Sequence, residues 1–357
     1  MAAQNRILKL GIIGAGRVTS QHHLPALAAT SAVEVVALAD MDPARLSLLA
    51  GRYGIVAQFP GFRGLIDQPY VDAVAVCTPP QFHAEMAVAA LNAGKHVFIE
   101  KPLALAMADC DAVISAASTN RVKTTVGFNL RGHRLMRQAQ LLIERGILGA
   151  VQAARVVYTS GFRHREQAPG WRNDRQTGGG VILEVGSHGF DLLRYLLQTE
   201  FAEIYAVQQD DGRASSVVTI AGRMANDVQI SAVFADQTGD ALEVDVYGSA
   251  GRLHVSGHRF DGLEFYPVSS YPGSVKVRLQ RLADTARALP SGLRVMRRGG
   301  DFAGSYQAEW DSFAASILQD RPVNPTLEDG RAALQAALAA TQSAQDHTAV
   351  MVSNLTG

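Results

Sequence analysis

The stretch Leu8-Lys9-Leu10-Gly11-Ile12-Ile13-Gly14-Ala15-Gly16-Arg17-Val18-Thr19 decides how the rest of the chain is read. An apolar run of strand length, Ile7 to Ile13, ends in glycines, and Arg17 to Thr30 then reads as a helix. Gly14 allows a tight turn at the strand end. Gly16 lets the backbone approach a pyrophosphate. Arg17 and Val18 open a helix whose free N–H groups and dipole favour an anion. Thr19 stands where a third glycine or alanine is usual, a departure that bears on helix–strand packing more than on phosphate binding. The next strand, Val33 to Asp40, ends in a carboxylate, placed to accept hydrogen bonds from ribose hydroxyls. A carboxylate there repels a 2′-phosphate, so NAD is expected as cofactor, with NADP less favoured.

Outward from that loop the first 125 residues alternate strand and helix. Pro43 to Tyr53 is helical, Val71 to Cys77 is a buried strand, and Gln81 to Ala93 is a helix closed by Gly94. His96 to Glu100, Met107 to Ser118 and Lys123 to Phe128 continue the pattern. Near-continuous apolar strands between helices imply a parallel sheet covered on both faces, the doubly wound α/β (Rossmann) arrangement. After Phe128 the rhythm changes. A helix (Leu135 to Arg145), a strand (Val151 to Tyr158), a loop rich in Arg, Gly and Pro, and a second helix (Val181 to Leu197) come first. Strands then dominate, at Ile204 to Gln208, Ser216 to Ala221, Val228 to Phe234 and Leu242 to Tyr247. Val228, Ile230, Ala232 and Phe234 alternate with Gln229, Ser231 and Val233, the period of a half-buried strand. The expectation is a nucleotide-binding domain over residues 1–125. A second, α+β domain over 126–357 carries a large, mostly antiparallel open sheet with helices on one face. Two helices close the chain, Tyr306 to Leu318 and Leu327 to Ser343, the latter opened by Thr326 with Asp329 three residues on.

Composition removes several function classes. A chain of 357 residues with 47% hydrophobic and 18% charged residues is ordinary globular usage. Lys+Arg and Asp+Glu both number 33, so no overall field draws it to nucleic acid or an anionic membrane. Two cysteines, Cys77 and Cys110, make no disulfide framework and show no zinc-ligand spacing, so both read as packed thiols and no metal is expected. No signal peptide or spanning run is visible, and a cytoplasmic protein is the default expectation. One stretch stands apart. Lys276, Arg278, Arg281, Arg287, Arg294, Arg297 and Arg298 accompany a single acid, Asp284. It reads as a solvated or subunit-contacting arm, with contact to an anionic ligand as the alternative.

Three further segments carry a resemblance. The first is Cys77-Thr78-Pro79-Pro80 with His83 and Glu85. The second is Ala93-Gly94-Lys95-His96-Val97-Phe98-Ile99-Glu100-Lys101-Pro102. The third is Gly178-Gly179-Gly180-Val181-Ile182-Leu183-Glu184-Val185-Gly186-Ser187-His188, with Asp191 beyond. With the glycine loop, Gly127-Phe128-Asn129, Arg131 and the closing pattern from Tyr306 to Gly330, nearly the whole chain resembles the glucose-fructose oxidoreductase / inositol dehydrogenase / rhizopine catabolism (GFO/IDH/MocA) family. The resemblance implies NAD(P)-dependent oxidation or reduction of sugars, inositols and related compounds. It also implies a homodimer or homotetramer built through the open sheet, and Lys101 as the family's catalytic lysine.

The chemistry beneath these motifs is hydride transfer. Hydride leaves a carbinol carbon only if the hydroxyl proton also leaves, so a site needs a base, a group that steadies the alkoxide, and rigid placement of the carbon. Lys101 follows a strand at the carboxyl end of the parallel sheet, where an ammonium holds the substrate hydroxyl and stabilises the alkoxide. Glu184 and His188 are four apart on a helix and share a face. His188 is the expected general base, while Glu184 either orients it or binds substrate. Thr78 and Pro79 are expected to line the nicotinamide ribose, Glu100 to face the cofactor or brace its loop, and Asn129 to join the cofactor set. His83 is either a site residue or structural. Substrate contacts are expected from Arg131, Tyr158, Arg163, His164, Trp171 and Arg172 beside Lys101 and His188. Two competing functions remain, a glycosidase that oxidises its sugar transiently without net use of NAD, and a non-catalytic NAD-binding regulator.

Overall fold

The computed structural model describes residues 6–161, 170–174, 177–209, 216–271, 273–297 and 299–355. Backbone contacts divide the chain into two units. The first comprises the residues up to Asn129 together with Tyr306–Leu334, and the second Leu130–Ser305 with the residues from Gln335.

The first unit holds a six-stranded sheet of β1 (Leu8–Ile13), β2 (Val33–Ala39), β3 (Ala57–Phe59), β4 (Ala73–Val76), β5 (His96–Glu100) and β6 (Thr124–Gly127). The order is β3-β2-β1-β4-β5-β6 and every pair is parallel, the doubly wound arrangement the apolar runs called for. The order switches direction beside β1, and in such sheets ligands bind beyond the carboxyl ends at that point. All four residues of β4 are fully buried, because helices cover both faces; that is why its sequence shows no alternation. The helix Pro43–Tyr53 begins where Asp42 accepts hydrogen bonds from the amides of Ala44 and Arg45, and ends at Gly54 with φ 69°, a conformation that suits glycine. Strand β3 and the short helix Phe62–Ile66 carry no periodic signal and were not anticipated.

The second unit holds an eight-stranded sheet of β7 (Val151–Thr159), β8 (Phe201–Gln208), β9 (Val217–Met224), β10 (Gln229–Ala235), β11 (Ala241–Gly248), β12 (Gly251–Ser256), β13 (Leu263–Pro267) and β14 (Val350–Met351). The order is β13-β12-β11-β7-β10-β9-β8-β14, antiparallel throughout except the parallel pair β10–β7. Its inner face buries Val156, Ile204, Val218, Phe234, Val244 and Leu253 against Leu135, Met136, Phe190 and Leu193. Each such side chain contributes roughly 1.5–3 kcal/mol relative to exposure. Ala336, Ala337, Ala339 and Ala340 add a smooth, closely packed surface to the same core.

The basic stretch, read as a solvated or subunit-contacting arm, lies on a helix, Val275–Arg297. Arg281 lies 4.2 Å over the ring of Tyr266 and pairs with Glu264, and the Thr285 hydroxyl donates to Asp261. Val275, Leu279, Leu282, Leu289 and Leu293 stay exposed. Among the described residues no helix is long and apolar enough to cross a membrane.

Candidate active site

Parallel pairing gathers the carboxyl ends of the first unit's strands along one edge. Gly14 follows β1, Asp40 follows β2, Thr78 lies beyond β4, Lys101 follows β5 and Asn129 lies beyond β6. Gly14 has φ 103°, and a Cβ there would stand 2.4 Å from the carbonyl oxygen of Cys77, so only glycine fits. A Cβ at Gly16 would meet nothing within 4 Å. The protein's own packing therefore does not demand glycine at 16, whereas an approaching phosphate does, and the opening turn of the helix from Arg17 and Val18 presents amides with no preceding carbonyl. Thr19 is fully buried and its hydroxyl donates to the carbonyl oxygen of Gly14 at 2.6 Å. The residue that departs from the glycine pattern thus clamps the glycine turn. Asp40 accepts the Ala15 amide on Oδ2 at 2.7 Å and the Asp42 amide on Oδ1 at 2.8 Å. Each oxygen keeps a further lone pair for a ribose hydroxyl. Arg45 stands 3.9 Å from Asp40 but is held more closely by Asp42, at 2.8 Å. The glycine turn, the open position at 16 and the braced carboxylate fit a bound dinucleotide.

The helix after the glycine loop is wound as a π-helix over Thr19–His23 before it becomes α-helical over Leu24–Ala28. That segment delivers His23, fully buried, to Glu100. The indole N–H of Trp310 donates to His23 Nδ1 at 3.2 Å, and His23 Nε2 lies 2.8 Å from Glu100 Oε1. An indole nitrogen can only donate, so Nδ1 accepts, the ring proton sits on Nε2 and it is given to the carboxylate. Glu100 Oε2 accepts the backbone amide of Lys101 at 3.0 Å. Phe98, two residues before Glu100 on the same face of β5, stacks on Trp310 at 4.4 Å. Gly127 leaves room for this carboxylate, since a Cβ there would lie 3.1 Å from Glu100 Oε1.

Lys101–Pro102 is a cis peptide. His83 joins this turn to the one after β4, with Nδ1 2.7 Å from the Pro102 carbonyl oxygen and Nε2 2.8 Å from that of Thr78. Burial pushes the His83 imidazole below its ordinary range, so it stays neutral and its single proton serves one carbonyl at a time. The N–H binds whichever of the two carbonyls its tautomer faces, and the ring sits between the Thr78-Pro79 and Lys101-Pro102 turns. Burial likewise raises both thiols, Cys110 to about 12 and Cys77 well above its usual value, as packed cysteines should be.

In the second unit the expected helix Val181 to Leu197 is a π-helical turn, Ile182–Gly186, running into an α-helix, Ser187–Leu197. Gly186 and Gly189 let it lie on the ring of Phe234; a Cβ at Gly189 would stand 2.3 Å from that ring. Glu184 pairs with Arg172 at 2.8 Å, and Arg172 in turn lies 5.2 Å over the ring of Trp171. A Cβ at Gly179 would meet the Arg172 carbonyl oxygen at 2.4 Å, so the glycine run serves close approach of the Trp171-Arg172 turn to the helix start. His188 keeps 9% of its surface, and the ring of Tyr158 meets it edge-on, 5.9 Å between centroids. Burial first, then the charges of Asp240 and Glu184, raise the Tyr158 hydroxyl to about 12, so it remains a neutral donor. Arg131 is committed to Asp191 in a two-point pair, 2.9 and 2.6 Å, and packs over Tyr195. Arg163 and His164 lie outside the described residues. Sequence reasoning missed His23, Trp310 and both π-helical turns; buried tautomer relays and local winding leave no periodic trace.

Family models match along both units. One, an oxidoreductase family with an NAD-binding Rossmann fold, covers residues 8–128, and the other, the C-terminal alpha/beta domain of that oxidoreductase family, covers residues 141–352. The chain is 26% identical over 361 residues to myo-inositol 2-dehydrogenase of Thermotoga maritima, covering 98% of this chain and 100% of that one. It is 36% identical over 206 residues to 1,5-anhydro-D-fructose reductase of Ensifer adhaerens, covering 57% of this chain and 60% of that one. The structure of scyllo-inositol dehydrogenase from Lactobacillus casei with bound NAD(H) and scyllo-inositol matches with a TM-score of 0.78 at 21% identity, over 98% of this chain and 100% of that chain. At that identity the likeness is one of fold. With matched models along both units and the glycine turn built as a dinucleotide requires, this chain belongs to the GFO/IDH/MocA family of oxidoreductases with an NAD-binding Rossmann domain.

Proposed function

We propose that this protein is an NAD-dependent dehydrogenase that takes a hydride from a secondary hydroxyl carbon of a sugar or cyclic polyol. The observation that carries the reading is the carboxyl edge of the first sheet, where a glycine turn open at Gly16, the braced Asp40 and Lys101 stand at the ends of neighbouring parallel strands. The nicotinamide supplies the hydride acceptor when bound. Lys101 holds the substrate oxygen and stabilises it as its proton leaves. His188 takes that proton. Glu184, tied to Arg172, sets the helix start that carries His188 and offers the substrate a carboxylate edge; Tyr158 and Trp171 supply a neutral donor and a flat apolar wall suited to a sugar ring. Arg131, engaged by Asp191, is held in place for the substrate contact expected of it. Asp40 favours NAD over NADP. The relatives named above act on inositol and anhydrosugar compounds, which supports this substrate class. We place a second copy of the chain on the outer face of the eight-stranded sheet, where Tyr205, Val207 and Tyr247 are exposed.

The test is a panel of inositols, aldoses and anhydrosugars assayed with NAD and NADP. NADH formation with one class of cyclic polyol or sugar, at least about tenfold better than with NADP, is expected; tenfold corresponds to about 1.4 kcal/mol of cofactor discrimination. Tight NAD binding with no turnover on any of them would overturn the dehydrogenase reading. Glycoside cleavage without accumulation of NADH would replace it with transient oxidation.

A further inference from the structure

Resting on the assignment of Lys101 above, we infer that Trp310 and His23 are positioning residues for that lysine, acting through Glu100. Three hydrogen bonds converge on the Glu100 carboxylate, two in relay from one side and one from the other. Trp310 Nε1–H donates to His23 Nδ1 at 3.2 Å, His23 Nε2–H to Glu100 Oε1 at 2.8 Å, and the Lys101 amide to Glu100 Oε2 at 3.0 Å. The indole fixes the imidazole tautomer, and the tautomer fixes which nitrogen faces the acid. Glu100 accepts on both oxygens, since each of these two partners donates. All the members are sealed from water, His23 and Trp310 at 0% and Glu100 at 7% exposure. In such surroundings an unsatisfied member costs far more than it would in water, so the chain of bonds has one low-energy arrangement. That arrangement holds the backbone immediately before the Lys101 side chain.

The rings enforce it. His23 meets Phe98, Tyr306 and Trp310 edge-on at 5.4, 5.4 and 5.6 Å, and Phe98 stacks on Trp310. The imidazole therefore has no room to flip and exchange its nitrogens. Each member comes from a different part of the sequence: the π-helical turn, strand β5 and the helix Gly300–Leu318. His23 and Trp310 are fully buried, and their hydrogen bonds lead to one another and to Glu100 beside Lys101. A fault in the relay should therefore move the rate of the chemical step and leave cofactor affinity alone, which a merely structural role does not predict.

Three variants test this. Trp310→Phe keeps an aromatic ring against Phe98 and deletes the N–H together with the rest of the pyrrole ring. His23→Leu removes both ring nitrogens. His23→Gln restores an amide donor where Nε2 stood. With NAD and the best substrate of the panel, Trp310→Phe should lower kcat about tenfold and His23→Leu about a hundredfold, as small misplacements of a reacting group do. NAD KM should stay within about twofold, and His23→Gln should regain most of the loss. Independently of turnover, the protein contains two tryptophans, so its ¹⁵N-indole spectrum has two cross-peaks. The Trp310 peak should show slow hydrogen exchange in the wild type and fast exchange in His23→Leu. Wild-type kcat in Trp310→Phe, or losses shared equally between kcat and NAD KM, would overturn the relay. If His23→Leu does not fold, Trp310→Phe decides through the split between kcat and NAD KM. Full turnover in Lys101→Ala would sink the parent reading instead, and leaves the indole measurement untouched.

Discussion

Among the described residues two helices pass from a π-helical turn to α, and each carries a histidine: His23 ends the turn Thr19–His23, and His188 lies in the α-helix Ser187–Leu197 just after the turn Ile182–Gly186. The outcomes differ. His23 is sealed at 0% exposure, with an indole on one nitrogen and a carboxylate on the other. His188 keeps 9% exposure beside the edge of a tyrosine ring. A π turn adds a residue to the helix and re-aims the side chains that follow, and such turns gather at functional sites. The comparison teaches that the winding aims a histidine, while its surroundings decide whether it is a fixed strut or keeps the exposure that the proposed proton acceptor needs.

The comparison breaks most sharply at His188. His188→Asn should lower kcat about 10²–10⁴-fold, the usual weight of a general base, with a melting temperature close to wild type. An active variant would remove His188 from the chemistry. Next, on the proposed role of its carboxylate in receiving ribose and repelling a 2′-phosphate, Asp40→Ala should raise the NAD KM at least about tenfold and the NADP KM much less. An unchanged NAD:NADP preference would leave Asp40 as a brace for Ala15 alone. Thr19→Val, nearly isosteric, deletes the hydroxyl clamp on Gly14 and should cost about 1 kcal/mol of stability, with a modest loss of NAD affinity; denaturant melts and cofactor titration read both.

The smallest effect concerns pH. Burial lowers the imidazoles of His83, His96 and His133 in the folded protein. Unfolded, each titrates near about 6.5. Below that value the unfolded chain binds protons that the folded one refuses, so stability must fall as pH drops from about 6.5 toward the depressed folded values. The melting temperature should decline by roughly a few degrees between pH 7.5 and 5.5. A flat or rising curve would show these histidines to be charged in place.

Much of this was legible in the sequence because it rests on period and punctuation. The apolar runs of β1, β4 and β5, the glycine turn at 14 to 16, and the alternation around Val228 to Phe234 name their elements without help. The spacing of Glu184 and His188 along one helical stretch was legible, but the Arg172 partner of Glu184 was not, because it arrives through a close approach at Gly179. Arg131 was read as a substrate contact on residue type; its two-point pair with Asp191, 60 positions away, is invisible to local pattern. The basic stretch of Val275–Arg297 was read by charge, while the helix depends on contacts with Glu264, Tyr266 and Asp261 on a neighbouring strand and turn.

The chain finishes its first unit late. Tyr306–Leu334 packs with the residues up to Asn129, so the second unit's main segment, Leu130–Ser305, is synthesised in between. At ~5–20 residues per second a ribosome needs about 9–35 s to traverse that insertion. Through that interval the nascent nucleotide-binding sheet lacks Trp310, the ring of Phe98 has no stacking partner, and the His23–Glu100 contact has no cover. Such a chain presents a partly open apolar face to the cell for many seconds, and chaperone capture should be strongest on nascent chains stalled between residues 130 and 305 and should fall once residue 334 has cleared the exit tunnel.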